Sequence, residues 1–541
     1  MNVPMKRRLR TFWANPVVTR DLRGRMRGSK SYWQQAFYLI LLGLLAIVGY
    51  GTSLGWNSAD HPDGYSAVDV QANLQSFYYF IFMTLAGLIT LIAPALTAVS
   101  ITSERQRQSL DLLVTTPLSA AEMLIGKMIS SVAFLLLLLA LSLPASALCV
   151  ILGGATLGDV VRVYIVLAID GLLMAAIGLA VSCAVRASLP ALVWSYLIVG
   201  VFLILTAIIG SMSGAFYGMG GGSGTILPTM ALSVLNPFLA VVSGAQSLPI
   251  FGLSIPIWVG AAILTFLLVR ILVTAGAYRL GSYGNSGCAS LRRQILFFSS
   301  LIVFGFMYSL SAGGSRMGAT SEPALNLESY LIFVFILTAV FLPSLFTPAV
   351  ANEDDPPGVP IHGSYSMRQA FQPVHQGALP YYHLWLLCTI LSAVLGAVAA
   401  GNSWHKLWMS ALCTAFYLSS LGFLFWSLSR WTATMVKGTS AARALSFIFF
   451  AVLSWLPIAL LGLLYSGISS NQEDASPIAW FWIFRPLLDL DRSDWTNGAG
   501  PAILGWTAAF SYALGVAAYL PWRSVVPGGR RRKEAQVVLN V

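Results

Sequence analysis

Five histidines and five cysteines are the side chains of this chain best suited to bind a metal or attack a substrate, and neither set is spaced to do so. Cys149, Cys183, Cys288, Cys388 and Cys413 show no Cys-x-x-Cys or paired spacing, so they read as small packing residues. His61, His362, His375, His383 and His405 are as dispersed. Glu353, Asp354 and Asp355 form the one dense acidic cluster; followed by Pro356, Pro357 and Gly358, it reads as a solvated helix end rather than acid–base machinery. A membrane-embedded transferase or protease is therefore disfavoured, and no catalytic residue is assigned. The stretch from 104 to 127, ERQRQSLDLLVTTPLSAAEMLIGK, differs: it carries six charges of both signs between two long apolar segments. On a helix Leu110, Leu113 and Val114 share a face, giving the i, i+3, i+4 anchors of an element that docks in a groove. Arg105, Arg107, Asp111 and Glu122 would set register and orientation at its rim.

The elements around this stretch are membrane spans. The chain is 57% hydrophobic and 9% charged over 541 residues, far from the roughly 25% charged residues of soluble domains. Apolar runs of about 20 residues, the length that crosses hydrocarbon, number about twelve. They cover residues 37–54, 77–99, 129–152, 163–185, 189–209 and 255–273, then 295–312, 330–350, 384–400, 407–428, 445–465 and 503–520. Continuous apolarity favours helices over barrel strands, so the expected fold is an all-α polytopic membrane protein.

Basic residues set the expected orientation. Lys6, Arg7, Arg8, Arg10, Arg20, Arg23, Arg25, Arg27 and Lys30 crowd the N-terminal stretch, and Arg523, Arg530, Arg531, Arg532 and Lys533 the C-terminal one. Both ends are thus expected in the cytoplasm, as an even number of spans requires. The net charge of +11 then needs no nucleic acid to explain it: it is topogenic, with contacts to anionic headgroups. No interleaved aromatic and basic patch points to nucleic-acid binding. The lack of any Asn-x-Ser/Thr acceptor favours a source without glycosylation, and a bacterial inner membrane is the expected location.

The first thirty residues do not read as a cleavable signal, because the basic region is long and no small-residue cleavage site follows. Asn15-Pro16 starts a helix in which Val18, Leu22 and Met26 recur opposite Arg20, Arg23 and Arg27, until Gly28. It reads as an interfacial helix on the inner leaflet. Residues 212–254 hold no charge, a Gly-rich start from Gly218 to Gly224, and Pro228, Pro237 and Pro249; re-entrant or interfacial helices are expected there. Within the spans, Asp170 and Arg270 are the ionisable residues set away from span ends. They are candidates for an intramembrane pair or a substrate path, and Arg270 also has the stem to snorkel inward.

Pro94-Ala95-Leu96 before Ser103-Glu104 is echoed, at an offset of about 250 residues, by Pro343-Ser344-Leu345 before Asn352-Glu353. Two six-span halves, 1–285 and 286–541, are expected, the second a degenerate repeat without the docking-like element. Six-plus-six spans also describe secondary transporters of the major facilitator type. Those have a short loop with a Gly-x-x-x-Asp-Arg type pattern where this chain has its long one. That architecture is the alternative.

Glu104-Arg105, Leu110-Asp111-Leu112-Leu113, Thr115-Thr116-Pro117-Leu118, Glu122 and Gly126-Lys127 closely resemble, in order and spacing, the signature of ABC-2 type transporter permeases. Asn15-Pro16 with its basic helix resembles that family's N-terminal elbow helix. The resemblance covers the first half; the second resembles the family in span layout only. It implies that Glu104, Arg105, Arg107, Leu110, Asp111, Leu113, Thr116, Pro117, Glu122 and Lys127 belong to a coupling helix docking on a separate ATP-binding subunit, and that the transporter exports. One departure stands out: Gln108-Ser109 replaces the usual Gly-Thr. Gly126-Lys127-Met128 lacks the glycine and hydroxyl of a phosphate loop, so no cofactor is expected here and ATP belongs to the partner. Besides that subunit and membrane lipid, a second permease in a homodimer or heterodimer is an open partner. The substrate has no signature.

Overall fold

The structure, a computed structural model, describes residues 16–26, 29–52, 67–108, 119–220, 234–243, 247–250, 253–280, 284–316, 370–371, 378–399, 404–435, 444–446, 448–449, 452 and 509–515. These fall into two compact units, Met1–Phe298 and Ser299–Val541.

The first unit opens with α1 (Pro16–Met26), whose proline sits where a helix has no amide to lose. Next come α2 (Ser29–Tyr50), α3 (Ala67–Ala98) and the short α4 (Ser100–Gln106). α5 (Ala120–Leu141) follows, starting from a capping box in which Ser119 and Glu122 bond each other's backbone amides. α6 (Leu143–Ile151) carries a proline in its first turn, and α7 (Leu157–Ala184) repeats the capping-box device with Thr156 and Asp159. α8 (Ser188–Gly220), α9 (Pro237–Ser243), a two-stranded hairpin and α10 (Ile257–Arg279) complete the series before α11 (Gly284–Arg316), which runs on into the second unit.

α7 is the axis of the first unit. Its apolar window is 72% buried, against at most 44% for the other spans among the described residues. Helices in lipid gain no hydrophobic drive toward one another, so close packing of small residues must hold them. Gly178 serves this end: a Cβ there would lie 2.8 Å from the Pro94 carbonyl oxygen and collide with the Thr97 hydroxyl, so α3 approaches α7 only because the position is bare. α10 meets α7 through Gly276, where a Cβ would come within 3.2 Å of Cys183 Sγ.

Among the described residues, eight helices are long and apolar enough to cross a membrane. They match the expected runs at 37–54, 77–99, 129–152, 163–185, 189–209, 255–273, 295–312 and 384–400, with ends displaced by several residues. Val70–Gln106 forms one 37-residue span, about 55 Å at 1.5 Å per residue, well beyond the roughly 30 Å of hydrocarbon. The run at 330–350 lies outside the described residues, and those at 445–465 and 503–520 fall mostly outside them.

The uncharged stretch departs from the expected interfacial helices. α8 continues to Gly220, α9 is only seven residues, and β1 (Ser247–Ile250) pairs antiparallel with β2 (Leu253–Pro256) in the register Ser247↔Pro256 and Ile250↔Leu253. Two residues, Phe251-Gly252, separate the strands in sequence, the commonest spacing of a β-hairpin. Pro249 and Pro256 are tolerated because both strands are edges. The fold is thus helical with one hairpin among the described residues.

In the second unit α12 (Ala378–Ala399) packs on α13 (Trp404–Met435). The Tyr382 hydroxyl donates to the Leu418 carbonyl at 2.8 Å, and Ser419 lies 3.0 Å from His383 and 2.7 Å from the Tyr512 hydroxyl. Trp385 Nε1 donates to Ser299 Oγ at 2.8 Å.

Candidate functional site

Residues 109–118 lie outside the described residues, but both ends of that loop are described and are tied together. Glu104 Oε1 accepts from Lys127 Nζ at 2.8 Å and from Arg20 Nη2 at 3.0 Å, so one oxygen joins α4, α5 and α1. Asp21 completes the cluster, 3.1 Å from Arg20 and 3.6 Å from Lys127. The Lys127 side chain is 5% exposed and that of Glu104 14%. At such depth the charges have lost most of their water, and their mutual bonds must make up for it. Burial works against the Arg20 charge, but Asp21 and Glu104 outweigh it and hold the guanidinium above its ordinary range.

α4 is strapped to the end of α7 from both sides. The amides of Ile101 and Thr102, orphaned in the first turn of α4, donate to Ser182 Oγ at 3.0 and 3.3 Å. In return Arg105 Nη1 donates to the Val185 carbonyl at 3.0 Å, with Nη2 3.5 Å from that of Cys183. A cation at the carbonyl end of a 28-residue helix also meets the negative pole of its dipole. Ser188 Oγ donates to Gln106 Oε1 at 2.8 Å, joining the start of α8.

The chain leaves α4 through Gln108, whose φ is +55°. This left-handed conformation suits glycine and strains an L side chain. It falls at the position where the family signature has glycine. The departure from Gly-Thr therefore has a local cost, and the left-handed turn persists despite it.

α1 seats this stem. Val17 is buried, and Arg25 turns inward, its Nη2 donating to the Leu96 carbonyl at 3.2 Å and to Ser131 Oγ at 3.0 Å. Leu96 lies in the last turn of α3, whose carbonyls lack amide partners within that helix. Burial pushes the Arg25 guanidinium below its ordinary range.

Of the sequence-derived site residues, the structure brings Glu104 and Lys127 together and places Arg105 on the end of α7. Arg107 is exposed beside them, and Glu122 bonds the Ser119 amide at 2.9 Å in its capping box. Leu110, Asp111, Leu113, Thr116 and Pro117 lie outside the described residues. Asp170 and Arg270 are not brought together. Asp170 is fully buried on α7 and neither carboxyl oxygen has a hydrogen-bond partner among the described residues, whereas Arg270 is exposed on α10.

Sequence reasoning missed Arg20, Asp21, Arg25 and Ser182 as members of the stem. Asp21 left a signal, being the lone acidic residue in a strongly basic stretch. Ser182 left none.

Residues 16–249 match the model of the ABC-2 family transporter protein. No curated protein matches the chain. The matched segment starts at the first residue of α1 and takes in the whole stem, α7 and α8. Residues 16–249, somewhat under half of the chain, are thus similar to the ABC-2 type transporter permeases, the membrane components of ABC transporters.

Proposed function

We propose that the chain is the permease of an exporter driven by a separate ATP-binding subunit, which docks on the 104–127 element. The observation that carries this reading is the Glu104–Lys127 bond at 2.8 Å, which gathers the two ends of the loop into one fixed stem. A loop so anchored passes displacement to α1, α5 and α7 rather than absorbing it. Leu110, Leu113 and Val114 supply the apolar anchors and Arg107 and Asp111 the rim. The reading includes twelve spans in two halves with both ends in the cytoplasm.

The test is association with the ATP-binding subunit in detergent. Leu110→Ala with Leu113→Ala should abolish co-purification while leaving the melting temperature unchanged. Undiminished co-purification would remove the docking assignment. Cysteines placed near either end and labelled from outside the cell should stay unmodified; labelling there would reverse the orientation.

A further inference from the structure

Between α1 and the junction of α3 with α4 lies a cavity of about 450 Å³, within the size range of small-ligand sites. One wall is the stem cluster of Arg20, Asp21, Glu104 and Lys127, whose charges are already matched to one another. The remaining charged lining is Arg25 and Arg107. Neither forms an ion pair among the described residues: Arg25 bonds a carbonyl and a hydroxyl, both neutral, and Arg107 is exposed at the rim. Ser100 and Ser103 also line the cavity, but each hydroxyl already donates to a backbone carbonyl, at 2.7 and 3.3 Å, so the donors left for a ligand are the two guanidiniums. Four cationic side chains against two carboxylates leave an excess of positive charge in a partly closed space. Through Arg25, which donates to the Leu96 carbonyl, the cavity is tied to the last turn of α3.

We propose that this cavity binds the phosphate of an anionic phospholipid headgroup, held by Arg25 from the α1 side and Arg107 from the α4 side. The guanidinium fork suits phosphate oxygens better than an ammonium does, and an anion relieves the burial of an Arg25 that has only neutral partners. A lipid is favoured over a free anion because the cavity opens beside a basic amphipathic helix at the edge of a span, where headgroups are concentrated. A bound lipid would bridge α1 to α4 and stiffen the stem. This proposal rests on the charge and position of the cavity, not on the docking of an ATPase.

The experiment uses the full chain in a neutral detergent, with the thermal transition followed while phosphatidylglycerol, phosphatidylcholine or inorganic phosphate is added. Phosphatidylglycerol should raise the transition, with phosphatidylcholine and millimolar phosphate giving little shift. Arg107→Gln, at an exposed position that the fold does not need, should weaken the phosphatidylglycerol response about tenfold, and Arg25→Gln at least as much. Arg23→Gln, on the exposed face of α1, should leave it unchanged. Equal stabilisation by phosphatidylcholine, or an unaltered response in Arg107→Gln, overturns the proposal. A full shift produced by inorganic phosphate overturns the lipid assignment in favour of a soluble anion.

Discussion

Lys127 Nζ and Arg20 Nη2 share a single acceptor, Glu104 Oε1, at 2.8 and 3.0 Å. Removing one buried partner strands the others. Lys127→Met should therefore destabilise the protein by about 3–5 kcal/mol, whereas adding Glu104→Met should recover part of that loss. A double-mutant cycle by unfolding in detergent reads the coupling; strictly additive effects would mean that the two side chains do not interact.

Gln108 offers a gain rather than a loss. Gln108→Gly removes the left-handed strain at φ +55° and should stabilise the protein by about 1 kcal/mol, with Gln108→Ala close to neutral. The same unfolding assay measures both. A destabilised glycine variant would assign the Gln108 side chain a role beyond its backbone.

Ser182→Ala leaves the Ile101 and Thr102 amides buried without that acceptor, at a cost of about 1–3 kcal/mol. Hydrogen exchange should quicken at those two amides before it changes elsewhere in α4. Arg105→Lys should not substitute for the arginine, because one ammonium cannot reach both the Val185 and Cys183 carbonyls as a planar fork does. Protection equal to that of the parent chain would argue against the strap.

Gly178→Ala forces a methyl toward the Pro94 carbonyl and should cost about 1–3 kcal/mol. Gly200→Ala is the control: none of the described residues places an atom within 4 Å of a Cβ there. Folded yield and melting temperature should fall for the first and hold for the second.

Asp170 finds no hydrogen-bond partner for either oxygen among the described residues, so Asp170→Asn should be at least as stable as the parent chain. Since Arg270 is exposed on a different helix, Asp170→Asn and Arg270→Gln should act additively on stability. Rescue of one by the charge-swapped other would reveal a second arrangement in which they meet.

Much of the first unit is legible in local pattern. Asn15-Pro16 and Gly28 bracket α1, and the capping box at Ser119 and Glu122 marks the restart after the loop. What stays hidden depends on distance along the chain. Ser182 reaches amides some 80 residues earlier, and a serine inside a greasy span looks the same whether or not it caps another helix. Arg25 looks like one more member of a basic face, because helical periodicity cannot say which arginine turns inward to a carbonyl freed at the end of α3. The hairpin at 247–256 escapes a search for spans, which weights mean apolarity over alternation. The polarity of 104–127 is plain in the sequence, but the division of labour among its charges is not. Glu104, Arg105 and Lys127 face inward to hold the stem, while Arg107 stays at its rim.

The length of the span that carries Glu104 has a mechanical consequence. Even inclined by about 40° from the bilayer normal, a rod of about 55 Å would overhang the hydrocarbon by more than 10 Å. With the charged end inward, as proposed above, the stem of Glu104 and Lys127 would stand on that overhang. On the proposed docking, a subunit arriving from the cytoplasm would meet this stem beyond the hydrocarbon. On the same proposal, a thrust delivered to the stem would act through a lever arm, turning a small push at the top into rotation of the helices rooted below.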